Sequence, residues 1–221
     1  KNSFKITTKW DGAPAVFCGT HPDTKKFFVG SKSVFNVNAK INYTAEDIDR
    51  NHGNSPGLAT KLKDCLKYLP ELGIQGIAQG DLLFTDDKQK KKIDGTNCLI
   101  FQPNTITYCI PEGDELYEKA LKAKLGVVFH TSYSGKSMDT VQANFGYDVS
   151  QLNSSKNVLV LSAEMEQLGQ DTLITDQEKG SLQQLKIESV KSLSNASSFL
   201  DTVAEQIKTK DQLVLGTRLK I

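Results

Sequence analysis

Lys9-Trp10-Asp11-Gly12 sets an amine, a bulky ring, a carboxylate and a residue without a side chain in four consecutive positions. A lysine freed of its proton is a nucleophile, and a nearby carboxylate can orient it or hold a cation. Gly12, lacking a Cβ, would let a ligand approach the backbone closely. A second acid stands out at Asp81, the one carboxylate in the apolar run Ile74–Phe84, a setting that marks a candidate site residue. His21, His52 and His130 show no metal-ligand spacing; the first two fall in turns, while His130 closes the apolar run Leu125–Phe129 and is a candidate pocket residue. Glu164, just past Asn157–Leu161, is a further acid that could serve a site or simply lie on the surface. The plain alternative for Lys9 is an exposed lysine beside a hairpin turn, because four-residue motifs often match by chance.

These residues need elements to position them. Phe4, Ile6 and Thr8 alternate with Lys5, Thr7 and Lys9, the period-two pattern of a half-buried strand, so Lys9 is expected at a strand end. Ala15–Cys18 and Phe27–Gly30 read as a hairpin turning at His21-Pro22-Asp23-Thr24, which would set Lys32 on a strand neighbouring Lys9. Thr44 to Asp47 resembles a capping box, and Ser55-Pro56 opens a second helix with a leucine stripe that Pro70 stops. The glycine-dotted run 74–84 is expected to be a strand approached closely by a ligand or another backbone. Lys88–Lys92 reads as a solvated hairpin tip, 98–101 and 105–110 as strands, 114–124 as a short helix and 125–130 as a buried strand. Residues 131–155 read as an irregular excursion, followed by a strand at 157–161. Beyond Asp176, two amphipathic helices separated around Ser194-Asn195 are expected. The fold class is therefore α+β, with mostly antiparallel sheets in residues 1–165 and a helical extension over 166–221.

Composition narrows the partners. Among 221 residues, 27 basic and 26 acidic side chains nearly cancel, so no global field draws the chain to nucleic acid or membrane, and any such contact must be local. Cys18, Cys65, Cys98 and Cys109 form no Cys-x-x-Cys pair, which suits reduced thiols in a cytoplasmic protein better than a disulfide framework or zinc site. No apolar run approaches the roughly 18 residues of a membrane-spanning helix. The chain opens on Lys1 within the first alternating run, as a fragment of a longer product would.

Three segments, taken in order, carry a resemblance. Lys9-Trp10-Asp11-Gly12 resembles motif I (Lys-x-Asp-Gly) of the covalent nucleotidyltransferases: ATP-dependent RNA and DNA ligases and mRNA capping enzymes. Gly80-Asp81-Leu82-Leu83 is similar to motif III (Gly-Glu-Leu-Val), and Gly126-Val127-Val128-Phe129 to part of motif IV (Glu-Gly-Val-Val-x-Lys). The chain also resembles uncharacterised tailed-phage ligase-like proteins with the same start. The resemblance implies the ligase-type (ATP-grasp-like) nucleotidyltransferase fold, ATP and Mg²⁺ as cofactors, and RNA or DNA strand ends as partners, RNA foremost. It makes Lys9 the residue that takes AMP from ATP and passes it to a 5′-phosphate. Asp81 would join it in catalysis, with Asp81 and Asp11 as metal ligands. Asp11, Gly12, Lys32, Phe101, Tyr108 and His130 would bind the nucleotide, with Phe101 or Tyr108 stacking on adenine. The chain departs from the family pattern at Pro14, where an arginine is common, at Leu125 for the motif IV glutamate and at His130 for its lysine. No clear Lys-x-Lys motif V follows. These departures keep open an inactive relative that binds nucleotide or nucleic acid without forming an adduct.

Overall fold

The computed structural model describes residues 8–163 and 175–210. The chain divides into two compact units, Lys1–Gln167 and Leu168–Ile221.

In the first unit, β1 (Ala15–Thr20) and β2 (Phe27–Gly30) pair antiparallel as the hairpin pattern requires. His21 closes their turn, its Nδ1 accepting from the backbone N–H groups of Asp23 (3.1 Å) and Thr24 (3.2 Å). Two helices follow. α1 (Ala45–His52) carries the Thr44/Asp47 capping box, and α2 (Pro56–Tyr68) has proline in its first turn. The chain then enters β3 (Ile77–Phe84), the middle of a six-stranded sheet ordered β2-β1-β3-β7-β8. Here β7 spans Leu125–Ser134 and β8 spans Gln142–Phe145, while the sixth strand, β9 (Val158–Ser162), runs parallel to the first half of β7.

Side chains alternate across this sheet. Val16, Cys18, Ala78, Leu82, Leu125, Val127 and Phe129 point to one face and pack with Ile48, Leu62, Cys65 and Leu69 of the helical layer. Leu83, Phe84 and Val128 belong to a second cluster, which they share with Leu99 and Phe101 of a smaller sheet and with Tyr117 and Ala120 of α3 (Tyr117–Lys122). That smaller sheet is β4 (Gln89–Ile93), β5 (Thr96–Phe101) and β6 (Tyr108–Pro111) in antiparallel order. Cys18, Cys65 and Cys98 are buried, Cys109 is exposed and all four are free; burial pushes the Cys18 and Cys65 thiols up.

Several sequence expectations are corrected. The basic run is not a hairpin tip: residues 89–93 form an exposed edge strand, and the turn is Asp94-Gly95, both at positive φ (47° and 84°). That geometry is the mirror-image turn that Asp-Gly favours between paired strands. Lys88 is half-buried rather than a free tip. Its Nζ donates to the carbonyls of Ala120 (2.6 Å) and Ala123, closing the C-terminus of α3, and it lies over the Phe84 ring. Residues 131–155 are not wholly irregular, since β7 continues to Ser134 and β8 follows.

The described residues of the second unit form not two helices but one, α4 (Asp176–Lys210), 35 residues long. Serine and asparagine are only mildly unfavourable inside a helix, and without proline the chain continues through Ser194-Asn195. Ser197 and Thr202 donate their hydroxyls to the carbonyls of Ser194 (3.0 Å) and Ser198 (2.8 Å). Among the described residues, no helix is long and apolar enough to cross a membrane.

Candidate functional site

The site begins with β3, because its two neighbours bring residues to the same face. Asp81 pairs with Ala15 of β1 on one side and Val128 of β7 on the other. The strand parity that sends Ala78 and Leu82 into the helical layer turns Asp81 to the opposite face, beside Val128. The β3–β7 register then slips: Gly80 pairs with Phe129, but Gln79 pairs with Thr131. His130 is the extra residue, a β-bulge of the kind that re-aims a side chain beside a site. The bulge brings His130 and Thr131 together, with Nδ1 2.8 Å from Oγ1, and sets His130 Nε2 3.7 Å from Asp81 Oδ2. Both side chains remain about a quarter exposed, at 24% for Asp81 and 23% for His130.

Lys9 arrives from the other side. Thr8, Lys9 and Trp10 are irregular, and the alternating run expected to form a strand before them lies outside the described residues. The corner is sewn to β3 by Ala13 N–H to the Leu82 carbonyl (2.9 Å) and Leu82 N–H to the Pro14 carbonyl (3.1 Å). Gly12 makes this possible. A Cβ there would stand 2.5 Å from Asp81 Cβ and 2.9 Å from the Leu82 carbonyl oxygen. Its close neighbour is therefore β3 rather than a ligand. Gly80 likewise admits the Val128 backbone, and Gly126 admits the Phe84 ring.

The result is a cavity of about 390 Å³ lined by Thr8, Lys9, Trp10, Asp81, Val128, His130, Phe145 and Ala163. Its size falls within the range of small-molecule sites. An amine, a carboxylate and an imidazole thus share one concavity, with Lys9 itself exposed.

The remaining sequence candidates are placed differently. Asp11 braces the corner. Its carboxylate accepts from Asn104 Nδ2 (2.8 Å) and from the N–H groups of Thr105 (2.7 Å) and Ile106 (2.8 Å). The Asn104 bond, then those backbone bonds, hold its pKa below the usual carboxylate value. Those oxygens serve the 104–106 turn, so Asp11 does not fit as a metal ligand in the cavity. Tyr108 is occupied too: its hydroxyl accepts from Asp11 N–H (2.8 Å), and its ring lies between Trp10 (5.3 Å) and Phe101 (5.4 Å). Phe101 is buried and meets Phe84 edge-to-face at 5.0 Å. Neither ring lines the cavity, so the expected adenine-stacking roles have no access there. Lys32 opens a one-turn 3₁₀ helix (Lys32–Phe35), is exposed, and is not among the lining residues. Leu125 is fully buried on the helical face, opposite Val128, so a glutamate at this position would meet the core rather than the cavity. Glu164 lies outside the described residues.

Trp10 and Phe145 supply the aromatic walls. Trp10 Nε1 is buried without a hydrogen-bond partner among the described residues. Phe145 ends the edge strand β8 in a stretch the sequence presents as polar, and no local pattern marks it. Among the described residues, no three His, Cys, Asp or Glu side chains form a metal cage. Mg²⁺ with a nucleotide needs only one or two carboxylates, since phosphates and water complete its shell. Asp81 fits that requirement alone.

Fold and cavity together define an α+β protein with a lysine–aspartate–histidine pocket on the face of its main sheet away from the helical layer. The chain belongs to the family described as Family of unknown function (DUF6267), whose model matches residues 1–221. Neither the curated proteins nor the solved structures include a match to it.

Proposed function

We propose that this protein is a nucleotidyltransferase of the RNA and DNA ligase type, with Lys9 as its nucleophile. The carrying observation is that Lys9, Asp81 and His130, spread over more than half the chain, line one cavity. The reading is also supported by the motif I corner being sewn to β3 and by the Asp81 strand pairing with the Gly126 strand. In the proposed reaction Lys9 Nζ gives up a proton and attacks the α-phosphorus of ATP. The bond from that phosphorus to the bridging oxygen breaks, pyrophosphate leaves with the electron pair, and a P–N bond holds AMP. His130 and Asp81 are the cavity groups that can take the proton. The 5′-phosphate of an RNA or DNA end, RNA foremost, then displaces the lysine, which recovers its proton as AMP moves to the strand. Mg²⁺, held through Asp81 and the phosphates, would neutralise developing charge.

One observation favours a second reading, reversible nucleotide binding without an adduct: among the described residues, Asp81 is the only carboxylate lining the cavity. Incubation with Mg²⁺ and ATP labelled at either the α- or the γ-phosphate separates the two. Covalent transfer retains the α label alone, through an acid-labile bond. Saturable binding with neither label retained would establish the second reading.

A further inference from the structure

We propose that Phe145 is the platform on which the planar base of the bound nucleotide stacks; this rests on the nucleotide reading of the cavity. Three observations carry it. Phe145 is 71% exposed, although its ring is entirely apolar and it lines the same cavity as Lys9. The rings the sequence offers for this task are already used, Phe101 in the core and Tyr108 between Trp10 and Phe101. The backbone also fixes Phe145 beside the reacting groups: Asn144 pairs with Ser132, and Gly146 N–H donates to the His130 carbonyl at 2.8 Å. A flat apolar ring at a cavity mouth next to polar reacting groups suits a ligand with a π-face at one end and charge at the other. A nucleoside triphosphate has that form, with its base on Phe145 and its phosphates toward Lys9 and His130. Every base has a π-face, so the contact supplies affinity rather than a choice among bases.

Trp10 is the single tryptophan of the chain and lines the same cavity, so its fluorescence reports occupancy without relying on catalysis. ATP and base-free tripolyphosphate are titrated, with Mg²⁺, into the wild type, Phe145→Ala, Phe145→Leu and Phe145→Tyr. Calorimetry runs in parallel and thermal melts check folding. On a stacking scale of 1–3 kcal/mol, Phe145→Ala and Phe145→Leu should weaken ATP binding by roughly 5- to 150-fold. Phe145→Tyr should bind like the wild type, and tripolyphosphate should bind all four proteins equally. Equal ATP affinity in the wild type and a folded Phe145→Ala overturns the stacking role while leaving the nucleotide reading intact. No ATP binding by the wild type in either measurement overturns both.

Discussion

Asp11 and Asp81 stand on either side of the Gly12–β3 contact, in opposite conditions. The Asp11 carboxylate accepts three hydrogen bonds, and its backbone N–H is spent on Tyr108. The Asp81 carboxylate accepts no hydrogen bond from the described residues, faces the cavity, and among those residues has His130, at 3.7 Å, as its one possible ion-pair partner. Two acids near one corner are thus a brace and, under the proposed function, a reagent. A carboxylate whose acceptor sites are satisfied holds structure, whereas a half-buried one left unsatisfied is available to a ligand or a proton. The Lys-x-Asp-Gly corner therefore divides its work: Asp11 and Gly12 fix where Lys9 stands, and Asp81 shares the cavity with it.

Substitutions can break this division. The largest effect is expected at the reagent: Asp81→Asn should slow adduct formation by about 10²-fold or more if Asp81 takes the proton or holds the metal. Its urea midpoint should stay close to wild type, since no structural hydrogen bond is lost; a large drop in stability would make Asp81 a brace as well. Next come the close contacts. Gly80→Ala and Gly126→Ala, measured by urea unfolding, should each cost about 1–3 kcal/mol, because the added methyl meets the Val128 backbone or the Phe84 ring.

Asp11→Asn tests the brace by pH. Its folded-state pKa lies below the unfolded one, chiefly through the Asn104 bond, so the ionised carboxylate stabilises the fold fully above the unfolded value. That contribution disappears as pH falls through the folded value. Unfolding at pH 7, 5 and 3 should show a constant deficit for Asp11→Asn at the two higher values and a smaller one at pH 3. A deficit that does not change with pH would mean the charge has no part in the brace. The smallest effect belongs to Lys32→Ala, which should leave both adduct formation and stability close to wild type.

Much of this framework is legible in the sequence because it depends on neighbours in the chain. The β1–β2 hairpin, the Thr44/Asp47 capping box and the α2 stripe are local patterns, and they form as read. The brace is not local, since the partners of Asp11 lie 93 to 95 residues away. Nor is the bulge at His130, because register belongs to a pair of strands and neither sequence alone contains the slip. Composition misled in two places. Consecutive lysines hid β4 although Asp94-Gly95 marks its turn, and Ser194-Asn195 suggested a break where α4 continues. The glycines at 12, 80 and 126 do mark close approach, and their neighbours are the protein's own strands and rings.

Under the proposed function, Lys9 becomes covalently attached to AMP. Intact-mass and peptide-mass analysis of the full chain after incubation with ATP and Mg²⁺ tests it most directly. The peptide bearing Lys9 should gain the mass of one AMP, which acid or hydroxylamine removes and which is absent in Lys9→Ala. An unmodified Lys9 with ATP, GTP and NAD alike, in protein shown to bind nucleotide, would contradict it.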